Sequence, residues 1–142
     1  MKVIPGIVFC LLVGLLMAAT PASAHHSFAA EFDATKCSEM TGILTKVDYQ
    51  NPHAYFWVSS TNAGGQVQEL TFQISSPSNL KRNGADRPTL MKSVGKMVTI
   101  RGCASKNGEE NRFAASFIKL ADGTVQRVGQ DVEGIFGTKI WR

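Results

Sequence analysis

Hydrophobic and polar positions alternate with a period of two through most of the chain after residue 40, with turn residues between the runs, which is the pattern of short half-buried strands. Ile43, Val47 and Tyr49 punctuate a polar stretch from Thr41 to Gln50 and predict a first strand. Asn51-Pro52 ends it, because proline lacks a donor and restricts the residue before it. Ala54 to Val58 is apolar throughout, which predicts a central strand covered on both faces. Asn62-Ala63-Gly64-Gly65 supplies a hairpin turn, and Leu70, Phe72 and Ile74 alternate with polar residues on the returning strand.

Ser76-Pro77 reads as an N-cap with proline at the first helical position, so one short helix is expected around Ser78 to Arg82, stopped at Asn83-Gly84. Asp86 to Gly95 is expected to be loop or a single turn. Met97 to Cys103 and Arg112 to Leu120 follow as strands, and Asp122-Gly123 folds back a short sixth from Thr124 to Val128. Three strands, a helical connection and two more strands is the order of an oligonucleotide/oligosaccharide-binding-type barrel. The expected fold class is therefore mainly β, a five- to six-stranded antiparallel OB-like barrel with one short helix. In that topology the first and fourth strands are antiparallel neighbours.

The first residues follow a different pattern. Met1-Lys2, an apolar run from Val3 to Ala19 and Thr20-Pro21-Ala22-Ser23-Ala24 match a secretory signal peptide cleaved after Ala24. The other reading is a retained anchor, but Pro5, Gly6 and Gly14 interrupt the run and it falls short of the roughly 20 apolar residues of a span. Bulky Phe9 before Cys10 speaks against lipoprotein processing. The expected organisation is a signal peptide at 1–24, an N-terminal arm at 25–36, a barrel at 37–128 and a tail at 129–142, with Ile135, Phe136, Ile140 and Trp141 as the tail's apolar content. Periplasmic or secreted localisation follows, with no membrane span after processing. Cleavage removes one of three cysteines, leaving Cys37 and Cys103, an even pair for which a disulfide is the default in an oxidising compartment. Such a bridge closes a loop of about 65 residues and contributes on the order of 4 kcal/mol.

Charge adds little. A formal +4 over 142 residues, dispersed and broken up by acids, lacks the clustered Lys/Arg that a nucleic-acid backbone needs, so no nucleic-acid partner is expected. At 18% charged and 44% hydrophobic residues the chain has the balance of a folded domain.

All the histidines lie near the start: His25, His26 and His53. Processing after Ala24 makes His25 the N-terminus, so one residue carries an α-amine and an imidazole. These titrate near 8 and 6.5, are free for a metal around neutral pH, and suit Cu(II), Ni(II) or Zn(II). His53 would complete a three-nitrogen brace, with His26 in reserve; copper is the first candidate. The competing reading is a solvated N-terminal end and a turn histidine bonded to its own backbone. Residues 24–33 (Ala-His-His-Ser-Phe-Ala-Ala-Glu-Phe-Asp), Gly42-Ile43-Leu44-Thr45-Lys46-Val47, Asn51-Pro52-His53 and the later Ser-Pro-Ser-Asn-Leu-Lys-Arg-Asn-Gly segment together resemble a family of small exported bacterial proteins of uncharacterised function. The resemblance runs to about Val128. It implies a small β-barrel and no established activity; the two mature cysteines and the tail are additions to its pattern.

Other chemistry is sparse. Glu31, Asp33 and Asp48 are acid or base candidates of low specificity, Ser38, Ser75 and Ser76 lack a neighbouring histidine in sequence, and no Walker loop, G-x-S-x-G or H-E-x-x-H is present. Tyr55 and Trp57 are a candidate ligand platform, although a continuous apolar run favours core packing. The expectation is a binding protein rather than an enzyme, its partner a metal ion, a small ligand or a periplasmic protein. The alternative to a histidine metal site is a barrel that binds a saccharide, peptide or partner protein through the aromatic strand.

Overall fold

A computed structural model describes residues 28–131 and 133–134. A four-residue helix, α1 (Phe28–Glu31), leads into β1 (Phe32–Asp48), β2 (Tyr55–Thr61), β3 (Val67–Gln73), α2 (Pro77–Arg82), α3 (Arg87–Met91), β4 (Met97–Ser105), β5 (Arg112–Lys119) and β6 (Val125–Arg127). The strands lie in the order β3-β2-β1-β4-β5-β6, and β3 also pairs with β5, which closes a five-stranded barrel with β6 outside it.

The mainly β barrel with a short helical connection is the expected fold class, and two details within it need correction. The barrel is mixed rather than antiparallel throughout, since Thr71 to Gln73 of β3 run parallel to Arg112 to Ala114 of β5. Direction explains it: β2 and β4 both oppose β1, β3 opposes β2 and β5 opposes β4, so β3 and β5 point the same way when closure brings them together. The second correction is the helix count, because the described residues hold three short helices instead of one. Ser76 caps α2 with Pro77 in its first turn, as the sequence predicts. In the segment expected to be loop or a single turn, Asp86 caps α3, its Oδ1 accepting from Thr89 N at 3.0 Å and from Thr89 Oγ1 at 2.6 Å.

β1 is much longer than the predicted Thr41–Gln50 strand because it serves two partners in turn. From Phe32 to Ile43 it pairs with β4, and from Ile43 to Asp48 with β2. A register shift between Leu44 and Lys46 marks the bend, and a bulge of this kind lets a strand coil around a barrel. Gly42 sits at the handover: a β-carbon there would lie 2.3 Å from the Ser59 carbonyl oxygen, so any side chain would push β2 off β1. Leu44, Phe56, Phe72, Leu80, Leu90, Ile100 and Ile118, each with no exposed surface, fill the interior. Phe72 stacks between Phe56 and Phe113 at ring-centroid distances of 5.0 and 5.4 Å.

β2 is not covered on both faces. Ala54, Phe56 and Val58 are buried while Tyr55 and Trp57 between them are only half-buried. A run without polar residues misleads here because tyrosine and tryptophan carry polar tips and tolerate a wet face. On that face Trp57 lies under the Lys46 ammonium, 4.5 Å from the ring centroid.

Candidate functional site: a cleft at one end of the barrel

Beside the start of β2 and the end of β3 the protein has a cleft of about 650 Å³, within the usual range for small-molecule sites. Its walls come from distant parts of the chain. Phe28, Glu31 and Phe32 supply one side, Pro52 and His53 another, Gln73 to Ser76 with Asn79 and Asn83 a third, and the segment after β6 the last. That final segment is tied down by backbone bonds: Val128 N donates to Ser116 O at 2.9 Å and Ser75 N donates to Val128 O at 2.8 Å. Gly129 fits against β5 only because it has no side chain, since a β-carbon would fall 2.0 Å from Ala115 O.

One arginine organises the N-terminal wall. Arg112, at the start of β5, donates from Nη2 to Glu31 Oε2 at 2.8 Å and pairs with Glu109 at 3.1 Å, and its guanidinium lies 5.1 Å from the Phe32 ring centroid. A planar, permanently charged fork suits this combination of carboxylates and ring. Lys106 adds its backbone N–H to Glu31 O at 2.8 Å and its ammonium to Ala29 O. These bonds seat a helix too short to stand alone, and they bring Phe28, whose ring is 5.3 Å from that of Phe32, to the cleft that His53 also lines. Sequence reasoning singled out neither Arg112 nor Phe28 as site-forming, and no local signal marks them, since their partners are far away in the chain.

The sequence-predicted residues fall in three places. His53 is half-buried in the cleft, just after the Asn51–Pro52 bond, which is cis. His25 and His26 lie outside the described residues, as do Ile135, Phe136, Ile140 and Trp141 of the tail. Tyr55 and Trp57 stand together on the outer face of β2, ring centroids 6.3 Å apart. Cys37 and Cys103 form the expected disulfide from directly opposed positions of β1 and β4, Cα atoms 3.9 Å apart. Their sulfurs and the Glu133 carboxylate lie within 4.8 Å of one another, but disulfide sulfurs are not thiolate ligands, and Glu133 is engaged by Arg101 through two bonds of 2.9 and 2.7 Å.

Two of the carboxylates considered as acid or base, Glu31 and Asp33, have structural partners. Asp33 accepts from Thr35 N at 2.9 Å and Thr35 Oγ1 at 2.7 Å, bonds that hold its carboxyl below the ordinary aspartate range. Asp86 is held low in the same way by Thr89. The Tyr49 phenol, pushed up by burial, donates to Ala85 O. Ser76 is occupied as a helix cap.

Neither the curated proteins nor the solved structures contain a match to this chain. A family model does match, over residues 13–114, a span that takes in the three histidines and both cysteines of the disulfide. On that match, which covers well over half of its length, the chain belongs to the family of unknown function DUF6152.

Proposed function

We propose that the protein is exported, processed after Ala24, and binds a transition metal, copper first, through the α-amine and imidazole of His25 together with the imidazole of His53, with His26 auxiliary. The observation that carries this reading is the shared cleft: Phe28 and His53 line the same cavity, and His25 is three residues before Phe28. Three residues of extended chain span at most about 10 Å, a reach that supports ligation by His25 and His53 at one site. The disulfide fits an oxidising compartment, and no helix among the described residues is long and apolar enough to cross a membrane.

Nitrogen ligands must be unprotonated to bind. Copper affinity therefore falls in acid, as protons compete with the metal for the nitrogens. The test is a Cu(II) titration of protein whose N-terminus is confirmed as His25 by mass spectrometry. The His25→Ala, His53→Ala double variant should lose at least the 10- to 100-fold (roughly) that follows from removing even a supporting partner of a metal ligand. A methionine left before His25 should also weaken binding by displacing the free amine. Equal affinity in the double variant eliminates the site.

A further inference from the structure

The outer face of β2 and β3 carries a second surface, which runs into the cleft that His53 also lines. Register places Lys46, Trp57, Thr71 and Arg112 in one row across β1, β2, β3 and β5, and Asp48, Tyr55 and Gln73 in the next. Gln73 joins this face to the cleft. Its side-chain oxygen accepts from Tyr55 Oη and from Arg112 Nη2, each at 3.4 Å, and the same residue lines the cavity beside Asn79, Asn83 and Gln130. Two aromatic rings thus lead, through one amide, to a recess edged by three more amides.

We infer that this continuous surface binds a neutral oligosaccharide. A pyranose ring presents an apolar C–H face to an aromatic side chain and hydroxyls around its rim. Carboxamides both donate and accept hydrogen bonds and so match hydroxyls, which do the same. Other ligand classes fit less well. A phosphate backbone needs clustered free cations, whereas Asp48 and Glu31 flank this surface, Arg112 is paired with Glu31 and Glu109, and Lys46 covers Trp57. A peptide added as a strand needs an open sheet edge, and the stretch of β3 that carries this surface, Thr71 to Gln73, is paired on one side with β2 and on the other with β5. Lys46 is exposed and flexible, so it can swing from the Trp57 ring to admit a sugar.

Chelator in the buffer separates this proposal from the metal reading, since saccharide binding should be indifferent to it. In a Trp141→Phe background, which leaves Trp57 as the single tryptophan, cellotetraose, chitotetraose and maltotetraose are titrated while emission is followed. At least one should give a saturable shift, with affinity unchanged between about 50 and 200 mM salt, where a ligand held through several phosphates loses orders of magnitude. Calorimetry should then find binding weakened about tenfold or more in Trp57→Ala and in Gln73→Ala, and largely kept in Trp57→Phe, with circular dichroism and thermal midpoint confirming that each variant is folded. The inference is overturned by the absence of a saturable response to all three sugars, by affinity that survives both alanine variants, or by saturable binding of heparin alone.

Discussion

The β1–β4 seam and the cleft end of the barrel are neighbours in space but are held by different means. Along the seam, backbone pairing runs unbroken from Cys37 opposite Cys103 to Ile43 opposite Met97, and a covalent bond pins one end. At the cleft, the walls are a four-residue helix, a proline turn and a segment following the last strand, joined by side-chain ion pairs and single backbone bonds. Continuous pairing with a cross-link resists opening, whereas elements held by a few polar contacts open locally at low cost. The division gives the molecule a stiff frame on one side and a recess of adjustable shape on the other, a distribution common to binding proteins whose sites are built from loops on a rigid scaffold.

The largest effect expected comes from removing the frame's cross-link. Cys37→Ser with Cys103→Ser should lower unfolding free energy by about 4 kcal/mol, the chain-entropy value for a loop of this size, and reductant should do the same to the parent protein. Urea denaturation measures both. A midpoint that does not move would mean the seam's backbone pairing suffices alone.

Arg112→Ala attacks the opposite region. It strips Glu31 of its main partner and should cost about 1 kcal/mol, a figure already reduced for the partial exposure of both groups. Its clearer signature is local: amide exchange should accelerate in α1 and in the first residues of β1 while Ile100 and Ile118 keep their protection. Uniform acceleration across the barrel would erase the distinction between the two regions. Under the metal reading the same variant weakens copper binding, because the seat of Phe28 in the wall of the cleft is loosened.

The smallest effect is in acid. Asp33, Asp86 and Asp122 are all held below the usual carboxylate range, chiefly by hydrogen bonds from Thr35, Thr89 and Thr124. A folded value below the unfolded one, near 3.9, means that the stability they lend is complete above about pH 5 and disappears as the pH falls through the folded values. Asp86→Asn keeps an acceptor for Thr89 but removes the proton linkage. Its thermal midpoint should lie slightly below the parent's at neutral pH and converge with it as the pH falls from about 5 to about 3, giving the shallower slope; identical slopes would assign acid sensitivity to other groups.

Most of the frame was legible in the residues, and the cleft was not. Alternation placed β1, β3, β4 and β5, Asn62 to Gly65 marked its turn, and Ser76-Pro77 announced α2, because each of these signals acts within a few residues. The pairing of Cys37 with Cys103 followed from their being the two cysteines left once Cys10 is removed with the signal, and the expected adjacency of the first and fourth strands agreed with it. Aromatic residues were harder: Tyr55 and Trp57 count as apolar in any pattern, yet their polar tips let them face outwards. Nothing in the neighbourhood of Arg112 indicates that it reaches Glu31, or that Gln73 faces both a cavity and a tyrosine.

Periodicity, turn chemistry and helix caps are local properties, so the chain's own order of residues determined its strands, its helix starts and the antiparallel partnership of β1 and β4. Barrel closure is non-local. It alone brought β3 beside β5 in parallel, set Phe28 and His53 around one recess, and turned Tyr55 outwards next to Gln73, because those contacts depend on how a coiled strand and a closed sheet distribute distant side chains in space.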